Sequence, residues 1–190
     1  MALITGIVLA GGKSNRFGSD KALAVYGELQ LIEYSIHVLQ PLCEQIVISA
    51  NSNNYKHLGY NVVKDNYSNA GPLAGIEASM KMFPSEIYLV ASCDIPLINS
   101  SIYRKMIQSM KGVQAAVACN KNGQAEPLIA VYAADVYQTI KDHLEKGHFK
   151  ANLILEKIRC NYITVDDEVL LRNINTLEQL EQIRELKNKA

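Results

Sequence analysis

The chain has 190 residues, with 19 Lys and Arg balancing 19 Asp and Glu, so its formal net charge is zero. A neutral global field attracts neither nucleic acid nor an anionic membrane surface, and any anion site must be a local cluster. No apolar run reaches transmembrane length and no charged leader precedes one, so the expectation is a cytoplasmic protein with a single domain over residues 1–190, large enough for a three-layer core.

In chain order, Ile4, Ile7, Val8 and Leu9 form a short apolar, partly β-branched run that reads as a buried strand. It runs into Gly11-Gly12 and a polar loop holding Lys13, Arg16, Gly18, Asp20 and Lys21. A buried strand ending in glycines and cations is how an α/β protein builds a phosphate cradle. Glycines let backbone N–H groups approach the anion, and the cations supply charge. The P-loop is excluded, because it needs a glycine five positions before Gly12 and that position is Ile7. The dinucleotide fingerprint is excluded because Gly11 and Gly12 are adjacent.

The spacing then predicts a helix over 31–42, a strand over 45–50, and a polar turn in which Asn51 or Ser52 caps a short helix. A short strand over 60–64 ends at Asp65. Gly71-Pro72-Leu73-Ala74-Gly75 opens a helix running to about Phe83. A strand over 87–91 ends in Ser92-Cys93-Asp94-Ile95-Pro96, and a helix follows from Ser100 to about Met110. Strands over 113–118 and 128–133 flank a turn at 120–123. Helices over 134–146 and 149–157, a strand over 162–165 and a charged helix over 176–189, opened by a capping box at Thr176 to Gln179, complete the chain. Strand–helix alternation up to Met110 implies right-handed crossovers and a mainly parallel sheet; the later strands, joined by a short turn, leave room for one antiparallel member. The fold class is α/β, a Rossmann-like three-layer α/β/α sandwich.

Ligands of such sheets bind at the carboxyl ends of the strands. Four strands end in Gly11-Gly12, Asn51, Asp65 and Asp94, and these should share one crevice. Asp94 suits a Mg²⁺ ion bound with a triphosphate, since Mg²⁺ takes one or two carboxylates plus phosphate oxygens; the alternative is a turn or capping aspartate before Pro96. Asn51 and Asp65 are base or ribose contacts, or a helix cap and a turn residue. Cys43, Cys93, Cys119 and Cys160 form no C-x-x-C pair and read as buried thiols of a reducing compartment. His37, His57, His143 and His148 show no metal-ligand spacing, and at least three read as surface residues.

Leu9-Ala10-Gly11-Gly12-x-Ser14-x-Arg16-x-Gly18-x-Asp20-Lys21-Ala22 resembles the signature of nucleotidyltransferases with a nucleotide-diphospho-sugar transferase fold. Among these it is most similar to the molybdenum cofactor guanylyltransferases, the MobA family. Cys93-Asp94-x-Pro96, Gly71-Pro72-Leu73-Ala74-Gly75, Glu126-Pro127-Leu128-x-Ala130-x-Tyr132 and Asn173-Ile174-Asn175-Thr176 carry the likeness onward, with Leu177 where the family has proline. The resemblance implies transfer of GMP from GTP to Mo-molybdopterin with Mg²⁺ as cofactor. It implies nucleotide contacts from Leu9, Ala10, Gly11, Gly12, Lys21, Asn51, Asp65, Gly71, Pro72, Leu73 and Asp94, with Lys21 and Asp94 catalytic and Asp94 on the metal. Residues 1–110 would bind the nucleotide. Residues 111–190 would complete the acceptor site through Lys150, Asn173 and Asn175, the last two alternating on an extended segment and so facing one side. Lys150 stands where the family often has arginine, and a point charge is not a bidentate fork. Transient contact with molybdenum insertion or molybdoenzyme maturation proteins is also implied, with no nucleic acid and no membrane. Two alternatives stay open: a relative using CTP or a sugar-phosphate acceptor, and a nucleotide-binding interaction protein without turnover.

Overall fold

The computed structural model describes residues 3–11 and 20–188, with side chains as far as Ile183. Its centre is a seven-stranded sheet. In chain order these strands are β1 (Ile4–Leu9), β4 (Gln45–Ser49), β5 (Asn61–Val63), β6 (Ile87–Ser92), β7 (Ala115–Cys119), β8 (Ala125–Ala133) and β9 (Cys160–Thr164), and they lie side by side as β5-β4-β1-β6-β8-β7-β9. Every pairing is parallel except the two made by β8, which runs antiparallel between β6 and β7. The expected single antiparallel member is therefore an inner strand. A two-stranded ribbon of β2 (Val25–Tyr26) and β3 (Leu29–Gln30) stands apart from the sheet.

Inner strands of a parallel sheet are covered on both faces and so read as continuous apolar runs. β1 has that character, and its side chains alternate between two cores. Val8 belongs to one, with Ile48, Leu89 and Ala91; Ile7 and Leu9 belong to the other, with Val47, Tyr88 and Val90. The first core is closed by α1 (Leu31–Leu39) and α3 (Ser100–Gln108), through Ile32, Ile36, Leu39, Ile102, Tyr103 and Met106. The second is closed by α2 (Pro72–Met82) and α4 (Val136–Glu145), through Leu73, Ile76, Met80, Val136, Ile140 and Leu144. Each such side chain, fully buried, contributes about 1.5–3 kcal/mol relative to exposure. These are the three layers that the alternation of elements predicted.

Boundaries moved where capping chemistry decides them. The first helix stops at Leu39 and continues as a 3₁₀ turn, Gln40–Leu42, around Pro41. The helix expected over 149–157 contracts to α5 (Asn152–Leu155). Neither Asn51 nor Ser52 caps the helix after β4: the segment is a 3₁₀ turn, Lys56–Leu58, preceded by Tyr55, and Ser52 Oγ instead accepts from Asn54 N at 3.1 Å. The last helix, α6 (Leu177–Asn188), starts with half the expected capping box. Thr176 Oγ1 accepts from Gln179 N at 3.2 Å, but Gln179 Oε1 reaches back to Asn175 N rather than Thr176 N, at 2.6 Å. Among the described residues no helix is long and apolar enough to cross a membrane.

Candidate active site

β5, β4, β1 and β6 are adjacent and parallel, so Asp65, Ala50-Asn51, Ala10-Gly11 and Cys93-Asp94 emerge at one edge of the sheet. The strand order reverses between β1 and β6, which is where an open α/β sheet presents its ligand crevice.

Asp94 is the hub of that edge. Its Oδ2 lies 3.0 Å from Lys21 Nζ, and its Oδ1 accepts from Ser92 Oγ. With its amide turned to donate, Asn173 Nδ2 lies 3.1 Å from Oδ2 and 3.3 Å from Oδ1. Lys21 Nζ also donates to Asn175 Oδ1 at 3.2 Å. Asn173 and Asn175 reach the centre together because the residue between them is pinned: Ile174 N donates to Asp94 O at 2.8 Å. Ile174 itself turns the other way and is fully buried against Tyr26, Leu31, Leu180 and Ile183. Period-two alternation thus places both asparagines in the site and the isoleucine in a core. The Lys21 and Asp94 side chains keep 18% and 24% of their exposure, enough for a ligand to reach both.

A second group forms at the ends of β4 and β5. Asn51 Nδ2 donates to Asp65 Oδ2 at 2.9 Å, and Asp65 N donates back to Asn51 Oδ1 at 3.0 Å. Burial pushes the Asp65 carboxyl above its ordinary value, and the Asn51 donor offsets that only in part. Helix α2 closes on this pair through Gly75. A Cβ at residue 75 would stand 2.0 Å from Ser49 Oγ, 3.1 Å from Ser49 Cβ and 3.2 Å from Asp65 Oδ1, so only glycine lets the helix approach so closely. Gly71, which caps that helix, has φ 69°, a conformation that costs a side chain strain.

Residues 6–159 match the MobA-like NTP transferase domain. The chain belongs to the MobA-like NTP transferase family. It is similar over most of its length to a probable molybdenum cofactor guanylyltransferase of Pelotomaculum thermopropionicum, at 33% identity over 97% of this chain and 93% of that one. In three dimensions it resembles molybdopterin-guanine dinucleotide biosynthesis protein A of Archaeoglobus fulgidus, with a TM-score of 0.81 and 22% identity over 98% and 100% of the two chains. A CMP:2-keto-3-deoxy-manno-octonic acid synthetase complexed with CTP has the same fold, with a TM-score of 0.77 and 13% identity over 98% and 99%.

As a member of that family of nucleotidyltransferases, the chain carries its glycine-rich signature over 9–22. Leu9, Ala10, Gly11 and Lys21 are placed at the crevice edge, whereas Gly12, Lys13, Arg16 and Gly18 lie outside the described residues. Lys150, unlike Asn173 and Asn175, shares no hydrogen bond with Lys21 or Asp94 among the described residues. The carbonyl of its neighbour Phe149 lies 3.7 Å from where a Cβ of Gly71 would be, so the segment belongs with Gly71 and the start of α2. Among the described residues no hydrogen bond or ion pair joins the Lys150 side chain to Asn173 or Asn175.

Three residues near the crevice were not foreseen as site residues. Glu126 lies close enough to feel Asp94: burial first, and the Asp94 charge second, push its carboxyl above the usual carboxylate range, against a donor from the Leu128 backbone. It stands beside an interruption in the β7–β8 ladder, where Val117 pairs with Ala130 but Ala118 pairs with Glu126. Pro127, which cannot donate to a ladder, falls inside that interruption. Asp20 and Tyr55 are hydrogen-bonded to each other, Tyr55 Oη lying 2.8 and 2.7 Å from the two carboxylate oxygens. In contrast, the thiols of Cys43 and Cys93 are pushed up to about 12, chiefly by burial, which suits packing rather than nucleophilic chemistry.

Proposed function

We propose that this chain transfers GMP from Mg²⁺-bound GTP to the terminal phosphate of Mo-molybdopterin, forming Mo-molybdopterin guanine dinucleotide and releasing pyrophosphate. One observation carries the reading. Lys21, at the foot of the glycine-rich loop, and Asp94, at the end of β6, share their hydrogen bonds with Asn175 and Asn173 of the C-terminal segment. Residues from the first half of the chain and from its C-terminal segment therefore meet at one centre, as transfer between a nucleotide and an acceptor requires. The guanine and the pterin acceptor are supported by the names of the relatives, and the guanine also by the Gly71 to Gly75 segment, which closes on Ser49 and Asp65.

The reaction forms a bond from an acceptor phosphate oxygen to the α-phosphorus and breaks the bond from that phosphorus to the leaving pyrophosphate. The nucleophile arrives ionised, so no side chain has to remove its proton. What the protein supplies is alignment and charge. Ala10 and Gly11 line the phosphate side. Asn51 and Asp65 hold the nucleoside side, and Asn173 and Asn175 hold the acceptor. The residues present fit Mg²⁺: Asp94 offers a partly exposed carboxylate at the end of β6, an oxygen ligand of the kind a Mg²⁺–triphosphate complex takes. Bound there, the metal would neutralise the triphosphate and the leaving pyrophosphate. Lys21 then exchanges its carboxylate partner for a phosphate oxygen.

The test is pyrophosphate release with Mg²⁺, a molybdopterin acceptor and each nucleoside triphosphate in turn. GTP should be used best, and release should depend on the acceptor. A preference for CTP rejects the guanylyl assignment, and nucleotide binding without turnover rejects transfer.

A further inference from the structure

Tyr55 is 2% exposed and packs in the same core as Ala10, Ala22, Ala50 and Cys93. Its hydroxyl is not simply a buried polar group with a partner. It lies 2.7 Å from Ala10 O and 2.8 and 2.7 Å from Asp20 Oδ1 and Oδ2. Ala10 is the residue at which the chain leaves β1 for the glycine-rich loop; Asp20 is the residue at which it returns. Asp20 in turn caps the 3₁₀ turn Lys21–Leu23, accepting from Ala22 N through Oδ1 at 3.2 Å. The next residue is Lys21, whose ammonium is on Asp94. One oxygen atom therefore touches both stems of the loop, and one of those stems aims the site's cation.

We infer that Tyr55 is a positioning residue for the nucleotidyl transfer proposed above: its hydroxyl clamps the entry stem, Ala10, to the exit stem, Asp20, and so fixes where Lys21 stands. A phenol has one proton and cannot donate to both acceptors at once. The carboxylate is the stronger acceptor, so Asp20 takes the short charge-assisted bond and Ala10 O is held beside it. Burial, then Asp20, raise the Tyr55 phenol above its ordinary value, which keeps the proton in place for the clamp. The reason for a tyrosine is reach and stiffness: an aromatic ring buried in the core carries its hydroxyl to the stems with two torsions to fix. Displacing a catalytic cation by an ångström is worth up to about 10² in rate.

The inference rests on the transfer reading for its kinetic arm, and a second arm is independent of it. Tyr55→Phe keeps the ring and removes the clamp; Asp20→Ala removes the other partner; Asp20→Asn keeps an acceptor for both Tyr55 and Ala22. With GTP and the pterin acceptor, Tyr55→Phe should lower kcat/KM by about tenfold or more, with Asp20→Asn milder than Asp20→Ala. The double variant Tyr55→Phe/Asp20→Ala should be no worse than the poorer single one, because one clamp can be lost only once. Without any nucleotide, hydrogen exchange at the Ala22 and Ala24 amides should be faster in Tyr55→Phe. Faster exchange in a protein whose parent does not turn over GTP keeps the clamp and discards the transfer reading. Normal kinetics in Tyr55→Phe, strictly additive losses in the double variant, or unchanged exchange overturns the clamp.

Discussion

Lys21 Nζ and Asp94 Oδ2, separated by 73 residues in sequence, stand 3.0 Å apart at the mouth of the sheet. The pair joins the end of the glycine-rich loop to the end of β6. Partly exposed ion pairs of this kind contribute only about 0–1 kcal/mol to stability, so a role of the pair in the proposed transfer should show in the rate and not in the melt. Lys21→Ala should therefore leave the melting temperature nearly unchanged while lowering kcat by about 10²- to 10³-fold, with a modest rise in KM for GTP. Lys21→Arg should rescue only in part, because a planar guanidinium is bulkier and differently directed. Steady-state kinetics on folded variants check this. An effect confined to KM would mean that Lys21 binds GTP and does not act on the transition state.

Asp94→Asn separates charge from shape. The amide keeps an acceptor for Asn173 and Lys21 but loses the charge that would hold Mg²⁺. Turnover should fall to background at millimolar Mg²⁺, while Ile174 N keeps its bond to the residue 94 carbonyl and the C-terminal segment stays docked. Titration of Mn²⁺ by its paramagnetic signal, with GTP present, should show weakened metal binding. Near-normal turnover at low Mg²⁺ would remove Asp94 from the metal.

Gly75→Ala sets two effects against each other. Alanine in a helix interior is favoured over glycine by about 1 kcal/mol. Here its Cβ would meet Ser49 Oγ at 2.0 Å and Ser49 Cβ at 3.1 Å, and overpacking costs about 1–3 kcal/mol. The hydroxyl can rotate away, but Ser49 Cβ cannot, so α2 must shift off β4 and off Asp65. The variant should be less stable and should bind GTP more weakly, and Ser49→Ala in the same chain should restore part of both losses. Thermal melts and GTP titrations are the measurements, and a Gly75→Ala protein more stable than its parent would mean that the helix moves freely.

Much of this architecture was legible in the sequence because buried parallel strands write long apolar runs. β1, β4 and β6 were found for that reason, and their ends predicted the crevice. Asn173 and Asn175 were singled out by the resemblance, and their alternation correctly put them on one side. What escaped has a physical cause in each case. The Val25–Tyr26 and Leu29–Gln30 ribbon is two residues a side, too short to show a period. Glu126 precedes the strand expected over 128–133, and in the fold it stands beside the broken β7–β8 register, where it feels Asp94. Tyr55 looks like one tyrosine in a polar turn, and nothing local announces that its hydroxyl reaches Asp20 and Ala10, 35 and 45 residues away. Lys150 was read from the resemblance alone, and its neighbour Phe149 sets its carbonyl beside Gly71 at the start of α2.

Asp65 gives a pH-dependent prediction whose sign follows from its surroundings. Burial raises its folded-state pKa above the ordinary 3.8, and the Asn51 donor opposes this only in part. The native state therefore holds the proton more tightly than the unfolded chain. The resulting stabilisation is present in full below the unfolded value and is lost as pH rises through the folded one. Near neutral pH the ionised carboxylate is a cost the fold carries. Asp65→Asn removes that cost and keeps an oxygen to accept from Asn51 Nδ2. Its melting temperature should exceed that of the parent at neutral pH, and the gap should narrow as pH falls toward the ordinary carboxylate value. The same substitution should raise KM for GTP, since the charge kept at a cost at the end of β5 is the one proposed to contact the nucleoside. Melts across pH 4 to 8, with GTP titrations at neutral pH, read both effects. A variant destabilised by the same amount at every pH would mean that Asp65 acts only through its hydrogen bonds to Asn51, and unchanged GTP affinity would take the residue out of the nucleotide site.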